Sequence, residues 1–287
     1  MTMRPGHLFP ILAASLLLAA CGTAKTAQSP VAATPTHDFP ELKQEGRTAI
    51  VAHRGYWNCA AAGFAQNSLG SLREAQAEKF WGSECDVHLT SDDIVVVHHD
   101  ATIRGRSIHK NTLDDFAPYR LKNGEPLPTL EEYLIQTKES AQTVLVIELK
   151  PQDNAAREDK LVEITLSELR KQGLYLPERI AFISFSKHIC DLIARECPGF
   201  TNQYLNGDLS PEQLAADGIN GLDYEQSVFY RDPTIVARAH ALGMSVNVWT
   251  VNGAKDLRFF IGLGVDAITT NEPMLLRELL DNREFRN

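Results

Sequence analysis

Several residues of this chain carry chemistry in places where a protein core has no use for it. The stretch "VAHRGYW" at 51–57 contains His53 and Arg54. "SECDVHLTSDDIVVVHHD" at 83–100 contains Glu84, Asp86, His99 and Asp100, and "TVLVIELKP" at 143–151 contains Glu148 and Lys150. The rest of each stretch is apolar and β-branched, the composition of a buried strand. Carboxylates gathered at low dielectric repel one another unless they are protonated or neutralised. A hard cation neutralises them, and oxygen-only ligands favour Mg²⁺, Ca²⁺ or Mn²⁺ over zinc. Two imidazoles beside such an ion, with a guanidinium and an ammonium open to an anion, suit acid–base chemistry on a phosphate ester. Taken singly, each feature is ordinary. An E-x-D on a strand is most often a polar edge, Glu148 and Lys150 can simply pair, and "HHD" can be a loop bonding its own backbone. Their coincidence at the ends of neighbouring strands carries the inference.

The frame that would position them is an alternation of short apolar strands and amphipathic helices. Strands are expected at 48–53, 83–88, 94–99, 143–149, 179–185, 200–205, 219–224, 244–250 and 265–270. Helices are expected at 67–79, 128–138, 154–172, 187–195, 210–217, 232–242 and 253–262. Asn67-Ser68, Thr129-x-x-Glu132 and Ser210-Pro211-Glu212 are helix starts, and Gly173, Gly218, Gly243 and Gly264 follow helices where a C-cap is wanted. Only "LTSDD" separates 83–88 from 94–99, too short for a parallel crossover, so 83–99 reads as a hairpin. Removing its returning strand leaves eight parallel strands. The fold class is α/β: a (β/α)₈ TIM barrel with a short additional hairpin strand. An open doubly wound sheet is the runner-up, but no glycine-rich dinucleotide fingerprint supports it.

In such a barrel Glu84 and Asp86 share the inward face, as do Glu148 and Lys150. His53 ends the first strand, and a turn near 91–92 folds His99 back beside Glu84. On a strand His98 and His99 point to opposite faces, so only one can serve. His88 and His109 read as surface or supporting histidines.

The balance of 28 basic and 37 acidic residues, with no basic run, argues against nucleic acid as a partner. Residues 1–21 have the shape of a secretory signal ending at Leu18-Ala19-Ala20-Cys21, which resembles the bacterial lipoprotein signal with Cys21 as the lipidated residue. Residues 22–46, rich in Ala, Thr and Pro, read as a flexible tether, and 47–287 as the barrel domain. This implies the bacterial cell envelope, with a lipid anchor in the membrane and the domain facing the periplasm. Gly22 offers no retention signal, a slight tilt toward the outer membrane. Four cysteines remain, Cys59, Cys85, Cys190 and Cys197. A Cys190–Cys197 disulfide and buried free thiols are equally open.

The motifs also match a family as a set. H-R-G, Q-N-S-L, E-x-D-V-x-L-T-x-D-x-x-V-V-x-H-D, E-L-K-P, W-T-V-N and G-V-D-A-I-T-T-N-E-P, in this order from about residue 48 to 275, resemble the glycerophosphodiester phosphodiesterases. The resemblance implies a barrel hydrolase that cleaves small-molecule glycerophosphodiesters to glycerol 3-phosphate and an alcohol, using a divalent metal. By match, His53 and His99 are its acid–base pair, and Glu84, Asp86 and Glu148 its ligands for Ca²⁺ or Mg²⁺. Arg54 and Lys150 contact phosphate, and Trp249 lines the glycerol or leaving-group side. Motif position favours His99 over His98.

Two positions depart from the family pattern. Gln66, before Asn67, stands where a Glu is usual, removing a negative charge near the site while leaving a group able to orient Arg54. Asn271 stands where T-D-x-P has Asp. The insert "YWNCAAAGFA" brings Tyr56, Trp57 and Phe64, which can pack or can shape the pocket. Competing readings are a phospholipase of related barrel type, acting on intact lipid or a phosphoinositol headgroup, and a lipoprotein that binds phosphodiesters without turnover.

Overall fold

The structure, a computed structural model, describes residues 48–282. The expected signal, Cys21 and tether lie outside the described residues. The strands are β1 (Ala49–Ala52), β2 (Gly82–Leu89), β3 (Val95–Val97), β4 (Thr102–Ile103), β5 (Arg106–Ser107), β6 (Val144–Leu149), β7 (Ile180–Ser184), β8 (Thr201–Tyr204), β9 (Gly221–Glu225), β10 (Ser245–Trp249) and β11 (Ala267–Thr270). The helices are α1 (Leu69–Ala77), α2 (Leu130–Thr137), α3 (Ala155–Gln172), α4 (Lys187–Glu196), α5 (Pro211–Ala216), α6 (Gln226–Arg231), α7 (Ile235–Ala241), α8 (Ala254–Leu263) and α9 (Pro273–Asp281).

Eight strands run parallel in the order β1, β2, β6, β7, β8, β9, β10, β11, and β1 pairs with both β2 and β11, closing the ring. A closed ring leaves no strand edge to protect. β3 pairs antiparallel with β2 from outside the ring, with Val87 opposite Val97 and Leu89 opposite Val95. The barrel and the extra hairpin strand expected from the sequence are therefore both present. No helix among the described residues is long and apolar enough to cross a membrane.

Strand alternation divides the core. Outward side chains such as Cys85, Val87, Leu89, Ile147, Leu149 and Phe182 pack under α2, α3 and α4 in one cluster. Leu222, Val246, Val248 and Ile268 do the same beneath the helices of the other half. Each such side chain contributes about 1.5–3 kcal/mol on burial. The inward faces hold a smaller set, Val51, Val146, Ala181, Ile183 and Ala267, which leaves the rest of the interior to polar groups. The segment after β3 builds its own small core from Val96, Ile103, Ile108, Phe116 and Leu127.

The helix starts follow the expected chemistry. Ser68, Thr129 and Ser210 are N-caps with reciprocal capping boxes, and Pro211 opens α5. Gly173 and Gly264 are left-handed C-caps. One open alternative is decided, and two helices appear that were not expected. The four cysteines of the barrel are all free thiols, so no Cys190–Cys197 bridge forms; Cys190 is buried in α4 on the far half of the core, and Cys197 sits in the near half. The expected helix at 232–242 is present as α7, and a short helix not expected from the pattern, α6, precedes it, the two separated by Asp232 and Pro233. α9 opens on Pro273, a first-turn signal that the sequence pattern contained and the reading passed over.

Candidate active site

The site is built at the C-terminal ends of the parallel strands, around a cleft of about 530 Å³ lined by His53, Glu84, His99, Glu148, Asp223 and Trp249 among others. Its first wall is the turn after β1. Arg54 adopts a left-handed φ of 58°, an uncommon conformation for a residue with a side chain, and this aims its backbone N–H at Glu84 Oε2, 2.6 Å away. Gly55 follows with φ +78°; a Cβ there would stand 2.3 Å from Ser71 Oγ and 2.8 Å from the Ser71 carbonyl carbon, so only glycine fits against α1. The Arg54 guanidinium donates from Nη1 to Gln66 Oε1 (2.7 Å) and lies 3.7 Å from Asp86 Oδ2 through Nε. Gln66 thus does orient Arg54.

The second wall is acidic. Glu84, Asp86 and Glu148 each offer an oxygen, and these oxygens lie within 4.8 Å of one another. All three residues are buried. Asn67, itself at φ 51°, clamps Asp86 from both sides of the peptide: its Nδ2 donates to Asp86 Oδ2 (2.7 Å) and its Oδ1 accepts the Asp86 N–H (3.2 Å). Lys150 Nζ lies 2.7 Å from both Asp86 Oδ1 and Glu148 Oε1. Burial, the largest single influence, pulls the Asp86 carboxyl upward, but Lys150, His99 and the Asn67 hydrogen bond together outweigh it and hold the group well below the usual carboxylate range. Burial and the Asp86 charge push Glu148 up, and burial with the Asp86 and Glu148 charges pushes Glu84 up further. Glu84 Oε1 is buried without a hydrogen-bond partner. Lys150 and, at 3.7 Å, Arg54 set two positive charges against three carboxyl groups, and an all-oxygen donor set with an orphaned oxygen fits a hard divalent cation.

The imidazoles stand across the cleft. His53 Nδ1 and Trp57 Nε1 both point at Asn271 Oδ1, at 2.8 and 3.2 Å. The indole N–H can only donate, so that Asn atom is an acceptor, His53 carries its proton on Nδ1, and its Nε2 lone pair is bare. Burial, reinforced by Arg54, lowers the His53 pKa to about 4, leaving the ring neutral at ordinary pH. His99 Nδ1 lies 2.7 Å from Asp100 Oδ1. Burial lowers its pKa too, while Asp86 and Asp100 oppose this.

Every residue that the sequence brought to the site lines it or touches a residue that does: His53, Arg54, Glu84, His99, Glu148, Lys150 and Trp249 line the cleft, Asp86 and Asn67 bond to that set, and Gln66 holds Arg54. The argument that chose between His98 and His99 is corrected. β3 ends at Val97, so neither histidine is on a strand; His98 turns edge-on to Tyr119 at 6.0 Å between centroids, and His99 reaches the cleft. Of the insert aromatics, Tyr56 packs edge-on to Phe80 and Phe64 sits exposed beneath Lys122, whereas Trp57 works at the site through Asn271. The reading missed three residues. Asn271 was noticed only as a departure, Trp57 sits in a loop with no periodicity to place it, and Asp223 carried the same signal as Glu84, an acid inside an apolar strand.

A profile of the Glycerophosphoryl diester phosphodiesterase family matches residues 53–275. A glycerophosphodiester phosphodiesterase of Caldanaerobacter subterraneus is 26% identical over 255 residues, 82% of this chain and 98% of the relative. The crystal structure of a glycerophosphodiester phosphodiesterase from Parabacteroides distasonis superposes with a TM-score of 0.80 at 40% identity, covering 83% of this chain and 98% of that one. A phosphodiesterase from Oleispira antarctica, solved in complex with the product sn-glycerol-3-phosphate, shares the fold at a TM-score of 0.70 and 24% identity, over 82% and 98% of the two chains.

Proposed function

The chain belongs to the glycerophosphoryl diester phosphodiesterase family, and on that footing we propose that it is a phosphoric diester hydrolase that cleaves glycerophosphodiesters to glycerol 3-phosphate and an alcohol. The observation that carries this is the convergence of Glu84, Asp86 and Glu148 opposite two imidazoles on one cleft.

Glu84, Asp86 and Glu148 would hold the divalent cation, Ca²⁺ or Mg²⁺, which when bound neutralises phosphoryl oxygens and polarises phosphorus for attack. Arg54, steered by Gln66, and Lys150 supply positive charge toward the diester and toward the charge that grows in the transition state. His53 is the better base. Its bare Nε2 lone pair faces the cleft side of a ring tied down by Asn271, and burial keeps it neutral. His99, with Asp100 at Nδ1, is better able to carry a second proton and to deliver it to the leaving oxygen. Trp249, its Nε1 bonded to the Asp223 backbone carbonyl at 3.0 Å, presents an apolar face to the organic part of the substrate. A lipid anchor at Cys21 would keep the enzyme near envelope lipids and their breakdown products; the apolar run that ends at Leu18-Ala19-Ala20-Cys21 supports that reading.

The test is turnover of a glycerophosphodiester panel with Ca²⁺, with Mg²⁺ and with chelator, alongside His53→Ala and His99→Ala. Loss of about 100-fold or more in either variant is expected from an acid or base. Near-normal turnover by either variant refutes its role, and hydrolysis of vesicle lipid in preference to soluble diesters would move the assignment to a phospholipase.

A further inference from the structure

One carboxyl in the cleft has no task in this scheme. Asp223 on β9 is 1% exposed, yet it lines the same cleft as Glu148 and Trp249. Neither of its oxygens has a hydrogen-bond partner. Leaving a buried polar group unpaired is costly, so each such group in a folded protein calls for a reason.

The surroundings explain where its oxygens face. Below Asp223 on the same strand, Gly221 has no space for a side chain: a Cβ would stand 2.4 Å from Ser245 Oγ and 2.7 Å from Gln203 Cγ. Those two residues are bonded to each other, Gln203 Nε2 donating to Ser245 Oγ at 2.9 Å. The floor is therefore closed. To the side, Asn247 is the register partner of Asp223 on β10. Its Nδ2 donates one hydrogen to Thr269 Oγ1 (2.9 Å) and its Oδ1 accepts the Val248 N–H (2.8 Å), and its second amide hydrogen is the neighbour that favours the Asp223 carboxylate. What remains open to the Asp223 oxygens is the cleft.

Burial, and after it the charge of Glu148, push the Asp223 carboxyl well above the usual range. A carboxyl placed there can accept from an alcohol hydroxyl and, when protonated, can also donate to one. We propose that Asp223 is a specificity-determining residue that hydrogen-bonds a hydroxyl of the substrate's glycerol moiety at the closed end of the cleft. This deepens, and rests on, the reading that glycerophosphodiesters are the substrates. The closed floor suits glycerol, the small half common to all of them. The variable alcohol needs the open end.

The experiment compares binding of sn-glycerol 3-phosphate and ethyl phosphate, which share the phosphomonoester and differ in the hydroxyls, in the presence of Ca²⁺ or Mg²⁺. The wild type should prefer glycerol 3-phosphate by roughly ten-fold or more, the discrimination expected of a site built to bond a hydroxyl. Asp223→Leu should bring that ratio close to one, and Asp223→Asn, which keeps a donor and an acceptor, should retain part of it. Equal binding of the two ligands by the wild type overturns the proposal even if the leucine variant does not fold, as does an unchanged ratio in a folded leucine variant. A wild-type preference for phosphocholine that disappears in Asp223→Leu also overturns it, in favour of a cation pocket. Turnover of glycerophosphocholine by the wild type checks the underlying reading separately.

Discussion

His88 Nε2 lies 3.2 Å from the backbone carbonyl oxygen of His99, so an imidazole buried in β2 holds the backbone that carries another imidazole at the mouth of the cleft. A carbonyl can only accept, which puts the His88 proton on Nε2. Burial lowers the His88 pKa to about 4, so the ring is neutral and its Nδ1 is an acceptor for His109 Nε2, 3.1 Å away. His109 Nδ1 in turn faces Asp153 Oδ1 at 3.1 Å. Replacing His88 with Leu unties this chain and should lower kcat about ten-fold while leaving KM within a few-fold, since positioning affects the proton transfer more than binding. Steady-state kinetics on a variant with an unchanged circular dichroism spectrum decides it; a normal kcat removes His88 from any positioning role.

Asn271 should set the acid limb of the pH profile. Its Oδ1 accepts from His53 Nδ1 without adding charge. Asn271→Asp would place a carboxylate there, favour the imidazolium and raise the His53 pKa above its present value near 4. A base must be neutral to act, so the acid limb of kcat/KM should move to higher pH in the variant. An unmoved limb would show that His53 is not the base.

Divalent metal should stabilise the fold as well as the reaction. Three buried carboxyl groups facing Lys150 and Arg54 are still short of positive charge. Adding Ca²⁺ or Mg²⁺ to chelator-treated protein should raise Tm, by an amount corresponding to about 2.7 kcal/mol when free metal is 100 times Kd. Glu84→Gln should shrink the shift. A Tm indifferent to both cations and to chelator would count against the metal site without reference to any substrate.

Glu168 offers a stability test far from the chemistry. Burial and the nearby Glu131 push its pKa up to about 7, against roughly 4.3 in an unfolded chain. The folded state holds this proton more tightly, so its contribution is full below about pH 4.3 and is lost as pH rises through 7. Glu168→Gln should therefore melt higher than wild type at pH 8 and alike at pH 4. The side chain is only half-buried, which limits the gain to below about 1 kcal/mol. Equal melting points at pH 8 would show that Glu168 is not strained by its surroundings.

The acidic face was legible because strand alternation is rigid. Once "SECDV" and "VIEL" are strands, the directions of Glu84, Asp86 and Glu148 follow from parity alone. The hairpin was legible for a related reason, the five residues between its strands being too few for a crossover. His99 was reached by motif position while the parity argument failed, because β3 ends at Val97 and parity has no meaning in the loop beyond it. For His88, on β2, the sequence leaves a surface and a supporting role open. Its importance comes from a contact with residues 11 and 21 positions away, made by the fold of the excursion after β3, which has no periodic pattern. Trp57 and Asn271 meet across 214 positions, and no local signal encodes such a meeting.

That last contact sits on the seam of the ring. His53 takes its orientation from Asn271, its N–H continues onto the Thr270 carbonyl at 3.0 Å, and Ala52 faces Thr270 in the β1–β11 register. β1 and β11 are thus the two strands that align the His53 ring. During synthesis, a chain lacking β11 carries the H-R-G turn without its contacts to Thr270 and Asn271. Hydrolytic competence then arrives all at once with the docking of β11, and in refolding it should lag the return of helical signal rather than grow in step with it.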